Sequence, residues 1–271
     1  MRVTITRPDG LGAAELALWR SWQAPGSGLD SPFLAPDFAL AIDRARKDVR
    51  VEIAVFEDGS GLAGFLPTSG TAARWAGPSA WGSPTARAWS TGPAPGPPAG
   101  RPGGRLALGL GVRPPPRRPA APPRARRRAR GLPVMDLSEG YDPYRDARRA
   151  LTRSAIGGVE RKDRKLGREH GELRLEYGCR DPEMLRLMMR WKSAHYRRTG
   201  AADRFGWPWV RQLVEESFAT ATEEYGGLLS TLHAGDTPVA VEFGLRSGTV
   251  YERWFGAYDA DAFGAYSRAW S

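Results

Sequence analysis

The chain has 271 residues, enough for one large domain or two small ones, with 40 Lys and Arg against 30 Asp and Glu. Its one cysteine, Cys179, excludes a disulfide framework within the chain and suits a cytoplasmic setting, and His170, His195 and His233 are spread too widely to complete a zinc site with it. The opening residues lack the apolar core of a signal peptide, and no apolar run approaches the roughly eighteen residues of a membrane-spanning helix.

Ala13 to Trp22 carries apolar residues near helical spacing, and Asp37 to Arg46, following Pro36, does the same. Val49 to Phe56 alternates at period two, Asp58-Gly59-Ser60-Gly61 is a hairpin signal, and Leu62 to Pro67 is the returning strand.

From Thr68 to Gly131 this pattern stops. The segment holds twelve arginines and thirteen of the 23 prolines, with no Lys, Asp, Glu, Phe, Tyr, Ile or Met. A net charge of +10 ordinarily points to nucleic acid or another acidic surface, but without these arginines 28 basic residues face 30 acidic ones. The excess belongs to this segment, which offers too little apolar surface to pack and reads as disordered. Gly109-Leu110-Gly111 has no strand before it and is not taken as a phosphate loop.

Regular structure is expected to resume at Val134 to Ser138, followed by one basic helical stretch from Asp142 to His170 and a short strand, Leu173 to Tyr177. The strongest helix signal comes next: Asp181 as N-cap, Pro182 at the first position and Gly200 past the end. Met184, Leu187, Met188, Trp191 and His195 form its apolar stripe, with His195 expected as a satisfied core histidine. Trp207 to Thr222 is a further helix. A three-strand meander closes the chain: Leu228 to His233, Thr237 to Arg246 and Thr249 to Phe255, with turns at Ala234-Gly235-Asp236 and Ser247-Gly248 and His233 expected to be exposed.

Two helices followed by this meander resemble the second half of the CelD-like (cellulose biosynthesis protein type) acetyltransferases. These belong to the GNAT superfamily and share their layout with the Fem-type peptidoglycan transferases. The residues carrying the resemblance are Trp191 to Gly200, Leu232 to Ala240, and Trp254-Phe255-Gly256-Ala257-Tyr258-Asp259 leading to Tyr266-Ser267; Ser31 to Leu34 and Gly64 to Pro67 add to it. The resemblance implies an α/β fold, a GNAT-like mixed sheet flanked by helices, in two half-domains. Residues 1–67 would form the partial N-terminal half and 132–271 the C-terminal acetyltransferase domain, with the segment 68–131 between them.

Where the family continues Pro-Gly-Leu after its Tyr-Ser pair, this sequence reads Arg268-Ala269-Trp270-Ser271 and stops. One inserted base before Arg268 restores Pro-Gly-Leu, and a shifted frame around Gly82 to Ser90 yields a family-like Leu-Ser-Asp stretch. No Asn and only four Lys fit a GC-rich gene, whose wrong frames read as Arg, Pro, Ala and Gly. The expectation is therefore a frame-shifted segment 68–131, or else a natural low-complexity linker, and a frame-shift truncation at the C-terminus that removes a cofactor-binding helix and its following strand and impairs the activity. The nucleotide sequence there decides.

The resemblance implies acetyl-CoA as co-substrate, no metal, and an amine or hydroxyl acceptor on a sugar or cell-envelope (exopolysaccharide) precursor. Thr249 to Phe255 would be the strand whose backbone polarises the thioester carbonyl, and Tyr266 and Ser267 the entrance to the cofactor loop. Glu242, between Val241 and Phe243, is either a cleft-facing carboxylate that takes the acceptor proton or a solvated outer-face residue. Lys192 either binds an acidic group or is a solvated helix residue. Tyr251, Trp254 and Tyr258 either line the acceptor site or belong to the core. The alternatives are Fem-like transfer from aminoacyl-tRNA and nucleic-acid binding through the arginine run, the latter disfavoured by the lack of interleaved aromatics.

Overall fold

Arg2-Val3-Thr4-Ile5-Thr6 alternates like the strands that follow, and it forms one. The structure, a computed structural model, describes residues 1–69, 90–91 and 134–269. β1 (Arg2–Thr6), β2 (Val51–Asp58), β3 (Gly61–Ser69) and a two-residue β4 (Ser90–Thr91) pair antiparallel in that order. β1 was not anticipated, because Val3 and Ile5 lie on an exposed edge strand and bury little. Apart from Thr68, Ser69 and the pair Ser90–Thr91, the expected disordered segment 68–131 lies outside the described residues.

The inward positions of β2 and β3 (Ile53, Val55, Phe65) pack on Leu11 and on Trp19 of α1 (Ala13–Ser21). Trp19 stacks on Phe65 at 4.9 Å, and its indole N–H donates to the Leu34 carbonyl at 3.0 Å. Glu15 accepts from the Gly12 N–H at 2.6 Å, which satisfies a free donor at the start of α1. Pro36 opens α2 (Pro36–Ala45), where its missing N–H costs nothing.

In the second half the single expected helix is two, α3 (Tyr141–Leu151) and α4 (Arg153–His170), separated at Thr152 with φ −151 and ψ 81. α3 buries none of its residues, so no packing holds the two in line. Val134 to Ser138 is unpaired and exposed, and regular structure resumes only at Tyr141.

β5 (Leu173–Tyr177), β6 (Tyr225–Ala234), β7 (Thr237–Ser247) and β8 (Val250–Tyr258) make a second antiparallel sheet in chain order. Gly235 and Gly248 take the tight turns with φ +57 and +53. α5 (Pro182–Arg198) starts where the Asp181 carboxylate accepts from the Glu183 N–H at 2.8 Å, and α6 (Pro208–Ala219) follows.

Leu185, Met188 and Met189 are the buried residues of α5. The expected stripe therefore straddles the boundary of the core: Met184 and Trp191 pack against it from half-buried positions, and His195 is not a core residue. His233 is buried rather than exposed, because β6 runs past it with its side chain on the covered face beside Thr231.

The largest core draws on both halves. Phe33, Phe38 and Ala41 join Leu185, Met188, Val210, Leu213, Phe243 and Phe255. Each large apolar side chain buried there contributes about 1.5–3 kcal/mol relative to exposure. Arg44 pairs with Glu216 at 3.0 Å across the same contact of α2 with α6. The segment around α2 is thus part of the core of the C-terminal half, although it precedes it by a hundred residues.

Candidate active site

The register of β7 and β8 determines which side chains reach a common surface. Glu242 stands opposite Gly256 and Phe243 opposite Phe255, but Gly244 stands opposite Arg253. Trp254 is the extra residue of a β-bulge, which reverses the alternation. Consecutive Trp254 and Phe255 consequently both enter the core, their rings 5.0 Å apart, and Trp254 meets Phe33 edge-on at 5.4 Å. Tyr251 and Arg253 before the bulge share the opposite face with Gly256 and Tyr258 after it.

The backbone of β8 follows from one hydrogen bond. Asp259 N–H donates to the Val239 carbonyl at 3.1 Å. Alternation along an antiparallel pair then turns residues 257 and 255 toward β7 and residues 258 and 256 away from it. Lys192 Nζ accordingly reaches the Gly256 carbonyl from outside at 3.0 Å. Gly256 and Tyr258 present N–H and C=O at the outer edge of the last strand of this sheet among the described residues.

A cavity of about 1020 Å³ lies against this edge, with Glu242, Tyr251, Arg253 and Tyr258 from the sheet and Lys192 and His195 from α5 in its wall. Arg253 Nε is 2.7 Å from Glu242 Oε2, and the Tyr251 hydroxyl donates to Glu242 Oε1 at 3.1 Å. Burial, then the Glu242 charge, pushes the Tyr251 hydroxyl well above its ordinary value, so it stays a donor. Burial, then the Arg253 guanidinium, lowers Lys192. Burial also lowers His195, and the charges of Lys192 and Arg198 add to it; Arg198 Nη2 donates to His195 Nδ1 at 3.4 Å.

Two glycines give these side chains room. A Cβ on Gly256 would run into the Arg253 guanidinium, and one on Gly244 would sit 2.5 Å from the Tyr251 ring and from the Glu252 carbonyl. Arg253 and Tyr251 can thus lie across the sheet to reach Glu242.

Of the residues singled out from the sequence, Glu242, Lys192, Tyr251 and Tyr258 come together here. Trp254 does not, because the bulge turns it into the core. Tyr266 is buried on the other side of the sheet's end, where its hydroxyl bonds Glu169 and lies 3.4 Å from His170 Nε2. The side chain of Ser267 lies outside the described residues. Arg253 and His195 were missed. Arg253 was legible as a cation two residues from Tyr251 on a strand paired with that of Glu242, but only with the register known.

Residues 153–269 match the family model described as an acetyltransferase (GNAT) domain. The match supports the GNAT superfamily and acyltransferase chemistry for this part of the chain. No curated protein and no solved structure matches the chain. GNAT acetyltransferases use acetyl-CoA, and the cavity borders the last strand of the sheet, with Gly256 and Tyr258 in its wall. No helix among the described residues is long and apolar enough to cross a membrane, and no cluster of metal-ligating side chains occurs among them.

Proposed function

We propose that the chain transfers an acetyl group from acetyl-CoA to an amine or hydroxyl of a sugar or cell-envelope precursor, in the manner of the CelD-like enzymes. The observation carrying this reading is the outward-facing backbone of Gly256 and Tyr258 on the cavity wall. N–H groups fixed on a strand stabilise negative charge developing on a carbonyl oxygen without having to reorganise. Acetyl-CoA supplies the activated acyl group. Glu242 takes the acceptor's proton, with Arg253 and Tyr251 holding its carboxylate in one orientation. Tyr258 and Tyr251 offer the aromatic surfaces on which a sugar ring stacks.

The test is thermal shift with acetyl-CoA, followed by thiol release in the presence of amino-sugar acceptors. A raised midpoint and acceptor-dependent release support the reading; no shift at millimolar acetyl-CoA overturns it.

One feature favours a second reading, Fem-like transfer from aminoacyl-tRNA. Arg161, Arg164, Lys165 and Arg168 are all exposed on α4 at helical spacing, which makes a basic stripe suited to a polyanion. Salt-dependent tRNA binding that is lost when these residues are changed to Gln would favour it over the acetyl-CoA reading.

A further inference from the structure

Cations in this chain are almost always arginine: 36 of the 40 basic residues, against four lysines. Lys47, Lys162 and Lys165 lie away from the cavity, and Lys192 alone of the four is in its wall. The distinction is chemical, because an arginine stays protonated whereas a lysine can release its proton and become a nucleophile.

Burial and a neighbouring cation both disfavour the charged form of Lys192. The side chain is half-buried, and no carboxylate lies within ion-pair distance of it among the described residues. The charge that acts on it is the like charge of Arg253, and this and its burial both lower its proton affinity. Nζ donates to the Gly256 carbonyl at 3.0 Å and lies over the Tyr196 ring at 5.5 Å. This places the amine at the strand edge whose outward N–H groups would hold a thioester carbonyl.

We propose that Lys192 is itself an acyl acceptor, so that the protein acetylates its own active-site lysine. The inference rests on the acetyl-CoA reading above. The neutral amine attacks the thioester carbonyl carbon, the C–N bond forms and the C–S bond breaks. Coenzyme A leaves as the thiolate and ends as the thiol with the proton that the amine gives up. The product is a neutral amide that keeps one N–H for the Gly256 carbonyl and no longer repels Arg253. An amide is not hydrolysed on the time scale of turnover, so the reaction is stoichiometric and marks the cavity.

The full chain is incubated with acetyl-CoA near neutral pH, then followed by intact mass and peptide mapping. One acetyl group per chain is expected on Lys192, forming about ten-fold or more faster than on Lys47, Lys162 or Lys165. K192R removes the fast phase, and R253Q slows it by restoring proton affinity to the amine. Acetyl-CoA binding by thermal shift with Lys192 left unmodified, or equal labelling of all four lysines, overturns the inference and leaves the acetyl-CoA reading standing. Absence of acetyl-CoA binding overturns both. The peptide map of the unaltered chain decides the matter even where a variant does not fold.

Discussion

Glu242 and Arg253 face each other across β7 and β8 with Nε and Oε2 2.7 Å apart, yet they are not register partners. The bulge at Trp254 brings Arg253 opposite Gly244, and the long guanidinium side chain reaches diagonally over Gly256 to the carboxylate. With Tyr251 on its other oxygen, Glu242 is fixed but keeps lone pairs for an acceptor proton. E242Q keeps the shape and loses the base. The expected result is a fall in kcat of about 100-fold or more, with acetyl-CoA affinity unchanged. Steady-state kinetics combined with a thermal-shift titration checks it; equal losses in binding and turnover would count against the role.

The two glycines under Tyr251 and Arg253 separate fold from site. A methyl on Gly256 meets only the mobile end of Arg253, which can swing away, so G256A should fold with a stability change below about 1 kcal/mol while losing the Arg253–Glu242 pair and much of the activity. A methyl on Gly244 meets the Glu252 backbone carbonyl as well as the Tyr251 ring, neither of which has room to yield. G244A should therefore destabilise the sheet outright. Urea denaturation of both variants, read beside activity, distinguishes them.

Much of this fold is written in local pattern. α5 is bounded by Asp181, Pro182 and Gly200, and the β6–β7–β8 meander by Gly235 and Gly248, because caps and turns act over a few residues. The bulge at Trp254 is not legible, since strict alternation gives no sign that two successive aromatics share a face. The pairing of Glu242 with Arg253 inherits that blindness. His233 looked like a turn residue because the sequence shows where a strand ends and not what covers it. The site residues Glu242, Lys192, Tyr251 and Tyr258 were legible only through the family resemblance; the cavity that unites them depends on register.

Trp254 links the two halves of the chain through Phe33 and Phe38 at 5.4 and 5.7 Å. W254A and F33A should each cost about 3 kcal/mol, because both leave a cavity in one shared core. Their effects should fall short of additive in the double variant, as expected for residues in contact. For the same reason residues 134–269 expressed alone should lack a cooperative unfolding transition, although they contain the whole of the matched acetyltransferase region.

Lys192 gives the protein a stability that changes with pH in a determinate direction. Its folded-state value is lowered by burial and by Arg253, whereas in the unfolded chain the amine titrates near about 10.4. Below the folded value both states carry the proton, and the native state bears the cost of holding a charge in a half-buried site beside another cation. Between the two values the unfolded chain binds the proton and the native one does not, so stability rises with pH across this interval and levels off above it. K192M has no proton to lose and lacks this rise, although it also forfeits the bond to the Gly256 carbonyl. The informative quantity is therefore the slope and not the absolute stability. Urea midpoints measured from pH 7 to about 10.5 should climb more steeply in the unaltered protein than in K192M. Parallel slopes would show that Lys192 holds its proton as an exposed lysine does.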